Sequence, residues 1–373
     1  MLNLSAIGLL EFFLIFFIGG MLILVPNMTE KTLVFGVRVP FSKLGLPVFK
    51  RVKNAYRVLM GIITAIAAFV TLLIPSNYTL LVTLMPLIVL LPFFIVYLNA
   101  HYAIEKTKSE SDWYGEIPVA SSAEVTISGA ELRIWVFFIP AVLLLAATFV
   151  AGVLLYPSIP DVFPTHFGAN GVANQYSIKS VWSVFSLGFI GIVINAFLII
   201  LTYVLYRTPL TQDPSLTSGG TRRRIFRRRF VQMLDVILAS LNIIFLIGSL
   251  AIWELISPGG YLLPLMMTPL FAMLAVITVI MYRTGQLGAN LRIDEGETPQ
   301  NPETRGTGSV RKDDDALWKA GVIYVNRNDS RMFVPKRFGV GYTMNFGHYG
   351  SWALLFALVA IPVIILAVTL VLR

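Results

Sequence analysis

The sequence predicts an all-α polytopic membrane protein with eight transmembrane helices, both termini outside, and a small cytoplasmic β-hairpin element. Of the 373 residues, 56% are hydrophobic and only 13% are charged, whereas a soluble domain has roughly 25% charged residues. Seven stretches of at least eighteen residues contain no Asp, Glu, Lys or Arg, which is long enough to cross a bilayer. These stretches are 12–29, 58–100, 134–160, 180–206, 236–253, 255–282 and 338–372.

The second stretch is too long for one crossing, and Pro75, Ser76 and Asn77 interrupt it near its middle. We therefore divide it into two helices joined by a tight turn, which raises the count to eight. The first stretch resembles a signal peptide in length, but no basic residue precedes Lys31 and Glu11 lies within the helix. We expect it to remain as a spanning helix.

The distribution of basic residues predicts the orientation. Of the 29 Lys and Arg residues, 27 lie in four alternate loops, at 26–57, 101–133, 207–229 and 283–350. Cytoplasmic loops retain positive charge, so these loops are predicted to be inside and both termini outside.

This assignment divides the chain into six regions. They are helices 1–3 with basic and acidic inner loops (1–133), helices 4–5 with an outer loop (134–206), a polybasic loop with helices 6–7 (207–282), a flexible linker (283–316), a cytoplasmic β-hairpin module (317–350) and helix 8 (351–373).

The net charge of +9 includes six arginines in one short tract before the sixth helix. Such a tract at the inner face holds topology and attracts anionic lipid, at about 1 kcal/mol per residue. We predict a lipid and topology anchor and no direct contact with nucleic acid. An acidic protein partner is the alternative. The arginines are Arg222, Arg223, Arg224, Arg227, Arg228 and Arg229.

Three segments outside the helices have recognisable content. The acidic inner loop 101–133 contains an alternating run at 124–128 that predicts a short strand. Residues 294–315 read as a flexible linker. Residues 322–325 and 332–335 then flank the turn-forming stretch 326–330 and predict a hairpin. We expect that hairpin to recruit the 124–128 strand or to pack on the membrane face.

The outer segment 157–179 predicts an ordered loop that displays His166. Pro157, Pro160 and Pro164 restrict its backbone, and residues 169–171, with the sequence Ala-Asn-Gly, predict a turn.

These segments resemble a known family. The outer segment carries Pro160, Asp161, Pro164, Thr165, His166 and Phe167, followed by Gly171 and Lys179, and it resembles that of the SdpI-type proteins, which are Gram-positive multi-span membrane proteins. The stretch 35–41, Phe-Gly-Val-Arg-Val-Pro-Phe, is similar to a second motif of that group, with Val39 in place of its usual Thr. Residues 318–347 resemble a short uncharacterised module often joined to such a segment. The resemblance implies immunity against a secreted toxic peptide and sequestration of a cytoplasmic repressor.

Catalytic and metal-binding motifs are scarce. The chain has no cysteine and only three histidines, His101, His166 and His348, and it contains no phosphate-binding or hydrolase motif. Glu11, Glu254, Asp161 and His166 are all predicted near the outer face, where they could converge. A carboxylate within a span is costly and marks a candidate site. We nevertheless expect no metal, no cofactor and no enzymatic activity.

We therefore predict a protein of the bacterial plasma membrane that recognises an envelope-directed peptide and binds a cytoplasmic protein partner. The alternatives are a solute or lipid-linked transporter using Glu11 and Asn195, and an enzyme using Glu11, Glu254 and His166. The predicted outer recognition residues are Glu11, Asp161, Pro164, Thr165, His166, Phe167 and Glu254. The predicted residues for the cytoplasmic partner are Arg38, Trp318, Tyr324, Arg331, Lys336 and Arg337.

Overall fold

The computed structural model describes residues 6–75, 78–113, 134–167, 172–208, 219–256, 261–292 and 313–371. It is a polytopic helical membrane protein with small β-hairpins at its ends. The long helices are α1 (Ala6–Leu24), α2 (Pro47–Leu73), α3 (Thr79–Glu110), α4 (Ile139–Leu155), α6 (Ser186–Arg207), α7 (Gly219–Ile252), α8 (Leu262–Thr284) and α9 (Tyr349–Val371), and a short α5 covers Val181–Val184.

Seven helices among the described residues are long and apolar enough to cross a membrane, and they correspond to the first seven of the eight helices predicted from the charge-free stretches. The break between the helices of the second stretch also holds, since α2 ends at Leu73 and α3 begins at Thr79. The last helix, α9, has 23 residues, and its part Tyr349–Ala360 is apolar but shorter than a membrane crossing. The count of eight and the outside position of the termini remain predictions.

Helices α1, α2 and α3 pack together around one apolar core. Gly19 in α1 allows the closest approach, because a Cβ built there would lie 2.0 Å from Thr64 Oγ1 of α2. Small residues commonly permit such contacts between membrane helices.

Helices α4, α6 and α7 form a second group, and α8 packs on α7. Asn195 of α6 and Asn242 of α7 donate to each other's side-chain oxygens over 2.9 and 3.1 Å, and Asn242 also donates to the Ala141 carbonyl of α4 over 2.7 Å. Both asparagines are buried. They therefore join three helices, as polar side chains often do within membranes.

Helix α7 is the longest, with 34 residues, and reaches about 50 Å at 1.5 Å per residue. Near the beginning of α7, the ring of Phe226 lies 6.3 Å from that of Tyr342, which belongs to the C-terminal β-module (residues 317–350). Just beyond its other end, Trp253 contacts the segment that follows the β-hairpin between α4 and α6. The two β-elements thus lie at opposite ends of α7. From the predicted orientation we call them the inner and outer ends.

At the outer end, strands β3 (Val162–Phe167) and β4 (Ala173–Ile178) pair antiparallel. We define residues 159–179 as the outer hairpin. The predicted ordered loop is thus more regular than expected, since both its arms are strands. The turn predicted at residues 169–171 lies outside the described residues.

At the inner end, three small hairpins assemble: β1 (Leu33–Val34) with β2 (Val37–Arg38), β5 (Trp318–Lys319) with β6 (Ile323–Tyr324), and β7 (Phe333–Pro335) with β8 (Tyr342–Met344). We define residues 31–46 and 313–348 as the inner cap. The predicted pairing of 322–325 with 332–335 was wrong, because β6 pairs with β5 and β7 pairs with β8. A parallel bridge joins Tyr324 of β6 to Asn345, the residue that follows β8.

The reason for this pairing is turn geometry. Ala320 and Gly321 adopt positive φ of 49° and 68°, which turns the chain directly after β5. Gly339 and Gly341, with φ of 87° and 114°, do the same between β7 and β8. Glycine tolerates such angles, whereas alanine rarely adopts them, so the first turn gives a weak signal in the sequence. The predicted recruitment of residues 124–128 lies outside the described residues.

Candidate functional site

The outer hairpin is anchored to the helices by an apolar cluster. Ile159 and Phe163 pack against Val184, Phe185 and Trp253, and all five are buried. Trp253 also donates its indole N–H to the Val184 carbonyl over 3.0 Å. A buried indole normally finds such a partner, and this hydrogen bond joins the end of α7 to the helix that follows the hairpin.

Lys179 closes the base of the hairpin. Its ammonium donates to the Ile159 carbonyl over 2.7 Å, and its backbone N–H donates to the Asp161 carbonyl over 2.7 Å. The ammonium also lies 4.9 Å from the centroid of the Tyr156 ring. Lys179 thus fixes the two ends of the hairpin together, which gives a structural reason for its place in the motif.

The predicted recognition residues of the outer segment divide between the two sides of the hairpin. Pro164 is buried and Phe167 packs against the apolar cluster. Asp161 and His166 are exposed. His166 Nδ1 lies 2.6 Å from Asn174 Oδ1, a hydrogen bond between β3 and β4. The imidazole therefore helps to hold the strands in register while its ring remains accessible.

An open groove of about 550 Å³ lies beside the hairpin. Its lining is mainly hydroxyl and amide groups, which can donate and accept hydrogen bonds. Four lining residues belong to the hairpin and two to the helices after it: Thr165, Gln175, Tyr176, Ser177, Ser183 and Ser186. Of the predicted outer recognition residues, only Thr165 lines the groove. The other five lining residues were not anticipated from the sequence.

The two predicted carboxylates of the helices take no part in the hairpin. Glu11 is 6% exposed within α1, and its Oε2 has no hydrogen-bond partner. Glu254 follows α7, is exposed, and has a positive φ of 61°. In the part of the chain that the structure describes, no group of three or more acidic or histidine side chains is arranged to hold a metal. The predicted convergence of these carboxylates with Asp161 and His166 stays a prediction.

At the inner end, three cations and three carboxylates form one network. Lys108 at the end of α3 contacts Asp313 at 2.5 Å and Asp315 at 2.7 Å, and its side chain is only 1% exposed. Arg337 pairs with both Asp314 and Asp315. The network therefore connects α3 to two parts of the C-terminal module.

Arg38 extends this network to the first inner loop. Its Nε contacts Asp314 at 3.0 Å, and its backbone N–H donates to the Asp315 carboxylate over 3.2 Å. Arg337 also donates to the Gly36 carbonyl over 3.0 Å. The stretch 35–41 therefore contacts the C-terminal module directly, although the two segments appear in the sequence as separate motifs.

The acidic run Asp313–Asp315 and Lys108 were not anticipated as site residues. The sequence places the run at the end of a flexible linker, yet it lies in the centre of the inner network, and Asp315 begins a 3-10 turn that leads to Trp318. The sequence did contain one signal for this site, namely three consecutive carboxylates shortly before the strand that begins with Trp318. Their cationic partners lie more than 20 residues away in sequence, so the pairing itself had no local signature.

The remaining predicted partner-binding residues also have contacts within the chain. Arg331 pairs with Asp329 at 2.7 Å, and the Tyr324 hydroxyl donates to the same carboxylate over 3.1 Å. The ring of Trp318 packs against that of Tyr324 at a tilt of 45° and lies beneath the guanidinium of Arg337 at 5.0 Å. Lys336 is exposed. The other side chains hold the inner cap together.

The arginines of α7 have different surroundings. Arg223 is buried, and Arg227 donates to the Thr208 carbonyl over 2.7 Å. Arg224, Arg228 and Arg229 are exposed. The tract therefore contributes to packing within the protein, and its anchoring to lipid stays a prediction.

Two family profiles match parts of the chain. Residues 143–192, which include the outer hairpin, match the family described as Domain of unknown function (DUF1648). Residues 327–352 match Family of unknown function (DUF5808) and overlap the module noted in the sequence. Neither profile is that of the SdpI-type proteins, so that resemblance rests on the motifs alone. No curated protein and no solved structure matches the chain.

Proposed function

We propose that this multi-pass membrane protein is a sensor or immunity protein of a Gram-positive plasma membrane, and that it binds an envelope-directed peptide at the outer hairpin. The observation that carries the proposal is the two-sided construction of the hairpin. One side is fixed by the apolar cluster around Phe163 and Trp253, and the other presents a hydroxyl-lined groove. The resemblance of the outer segment to SdpI-type proteins points in the same direction.

Strand addition is the mode of binding that this construction favours. Strand β4 pairs only with β3 among the described residues, so its other edge offers backbone N–H and C=O groups to an extended segment. Peptides commonly bind by pairing with such an edge, while pockets for alternate side chains provide specificity. Tyr176 and Ile178 of β4 are exposed and would provide apolar contacts.

A signal can reach the inner cap through α7. Trp253 follows the outer end of this helix, and Phe226 packs against Val340 and Tyr342 of the inner cap near its beginning. A peptide that shifts the outer hairpin would then shift one rigid helix that also contacts the cap. Because Arg38, Arg331 and Arg337 already pair within the chain, a cytoplasmic partner would bind the assembled cap or its opened form.

The test is survival of cells that lack or express the protein against a panel of secreted bacteriocins and other membrane-active peptides. Two variants address the hairpin: His166→Ala, which removes the contact with Asn174, and Tyr176→Ala, which alters the groove. Tyr261→Ala is the matched control, since Tyr261 is an equally exposed tyrosine at the outer end. All are compared at equal membrane levels.

The proposal expects protection from at least one peptide, a loss of at least about tenfold in the tolerated concentration for both hairpin variants, a factor that corresponds to about 1.4 kcal/mol of binding, and no loss for Tyr261→Ala. Absence of protection from every peptide would overturn it. Equal protection by all variants would remove recognition from the hairpin.

A further inference from the structure

A stripe of arginines and aromatic rings lies at the inner end of α4, α6 and α7, far from the outer hairpin. Arg207, the last residue of α6, is positioned over the ring of Tyr203 at 5.1 Å, and Arg228 of α7 over the ring of Phe137 at 5.7 Å. Trp135 stacks on Tyr203 with 5.8 Å between ring centroids. Trp135 and Phe137 belong to one 3-10 turn, Ile134–Phe138, so both arginine–ring pairs adjoin this turn.

Among the described residues, these two arginines differ from their neighbours because they pair with no carboxylate and no carbonyl. Both are exposed, and within the described residues their only contacts of a polar kind are with the rings. Arg227, by contrast, donates to a carbonyl, and Arg223 is buried. A guanidinium presents several N–H donors in a plane, which suits phosphate oxygens.

The surface continues from the arginines as an apolar strip toward the membrane-spanning part of α4. Trp135, Val136 and Ile139 are each more than half exposed, at 56%, 55% and 51%. Indole rings are enriched at the level of the lipid headgroups. A ligand that fits this surface must carry a negative charge at one end and a hydrocarbon chain at the other.

We propose that Arg207 and Arg228 bind the phosphate group of an anionic phospholipid, while Trp135, Val136 and Ile139 contact its acyl chain. The rings of Tyr203 and Phe137 hold the guanidinium groups in place before the lipid arrives. The site is therefore a defined lipid position, distinct from the diffuse attraction that any basic tract exerts. Basic surfaces between membrane helices are known to bind anionic headgroups in this way.

The experiment titrates phosphatidylglycerol onto the full-length protein in a mild detergent and counts bound lipids by native mass spectrometry. The test variant is Arg207→Gln with Arg228→Gln. The control is Lys50→Gln with Lys106→Gln, which removes the same charge from two exposed positions outside the arginine tract and away from the rings. Thermal unfolding of each variant establishes that it is folded.

The test variant loses two guanidinium contacts with the phosphate, and at about 1 kcal/mol each this should weaken binding of the tightest phosphatidylglycerol about thirtyfold. The control should bind it as the natural protein does, and phosphatidylcholine should not compete. Equal losses in the test and control variants would show diffuse attraction and overturn the proposal, as would unchanged binding in the test variant.

Two further measurements distinguish the source of the phosphate and the place of the chain. Inorganic phosphate at millimolar concentration should not displace the lipid, and displacement would identify a site for a free anion. A phosphatidylglycerol brominated in its acyl chain should quench tryptophan fluorescence in the natural protein more than in Trp135→Phe. Equal quenching would contradict the assignment of the apolar strip.

Discussion

The outer hairpin and the inner cap are both small β-elements on one helical scaffold, but they are fixed by different forces. The outer hairpin is held mainly by apolar side chains, including Phe163 and Trp253, and leaves polar groups exposed. The inner cap is held by buried charges, including Lys108 and Arg337, whose side chains are 1% and 3% exposed. Similar secondary structure therefore produces a presenting surface at one end and a closed assembly at the other.

This difference has energetic consequences. Apolar anchoring gains stability from the area removed from water and sets no requirement on individual partners. A buried ion pair contributes little net stability when complete, yet loss of one partner leaves a charge without compensation. The inner cap should therefore respond to single substitutions all-or-none, and the outer hairpin gradually.

Asp315→Ala should have the largest effect. This carboxylate contacts Lys108 at 2.7 Å, pairs with Arg337 and accepts from the Arg38 backbone. Removal of one partner of a buried pair costs about 3–5 kcal/mol, so the cap should detach. Limited trypsin cleavage and thermal unfolding of the purified protein would report this.

The control is Lys106→Ala, which removes a pair with Glu110 whose side chains are 75% and 64% exposed. Such a surface pair is worth less than about 1 kcal/mol. If Asp315→Ala resisted trypsin as well as Lys106→Ala does, the ionic network would not hold the cap.

Gly321→Ala should have the next largest effect. A Cβ at Gly321 would lie 2.8 Å from the His101 ring and 2.9 Å from the Tyr97 hydroxyl, and φ is 68°. Such backbone strain costs about 1–3 kcal/mol, so the cap should fit less closely against α3. Hydrogen exchange of residues 318–345 should accelerate.

Gly45→Ala is the control for that substitution, since nothing lies within 4 Å of its Cβ position. It should leave exchange unchanged. A similar acceleration in both variants would mean that close contact at Gly321 is not what matters.

Trp253→Phe tests the outer hairpin and should cost about 1 kcal/mol, the usual worth of one hydrogen bond. The substitution removes the indole donor to the Val184 carbonyl while most of the apolar contact remains. Exchange should accelerate in residues 159–178 and not in the inner cap. Trp182→Phe, at a largely exposed position, should change exchange in neither region. If Trp253→Phe accelerated exchange in the inner cap alone, the role assigned to Trp253 at the outer hairpin would be wrong.

The sequence predicted the helices well because their signal is local. Charge-free stretches need only be read along the chain, and Pro75 marked the break between α2 and α3. The outer segment was also recognised, since its prolines and Lys179 lie within the hairpin that they shape. What was missed there was the groove, because it depends on how Ser183 and Ser186 fold back beside β4.

The inner cap was less predictable because its contacts join distant parts of the chain. Arg38 and Asp314 are 276 residues apart, and Lys108 and Asp313 are 205 apart. The strands of the module have only two or three residues each. Their pairing is therefore decided by the turns at Ala320 and Gly341 rather than by the composition of the strands. Residues that were expected to bind a partner, such as Arg337, instead form ion pairs within the cap.

A fall in pH should affect the inner cap and the outer hairpin differently, and this should be the smallest of the expected effects. Burial alone would raise the pKa of the Asp314 carboxyl, but the guanidinium groups of Arg38 and Arg337 lower it below its ordinary value of 3.8. A carboxyl with a lowered pKa in the folded protein stabilises it above the unfolded pKa, and that contribution is lost as the pH falls through the lowered value. The cap should thus remain docked from pH 7 to about 4 and loosen below, and the loss of stability should be small because Asp314 is 33% exposed and its ion pairs are partly screened by solvent. Hydrogen exchange of residues 313–345 between pH 7 and 3, corrected for its intrinsic pH dependence, would measure this. Asp314→Asn should flatten the profile, whereas Glu110→Gln at the exposed end of α3 should preserve it; an identical profile in all three proteins would assign the acid response to another group.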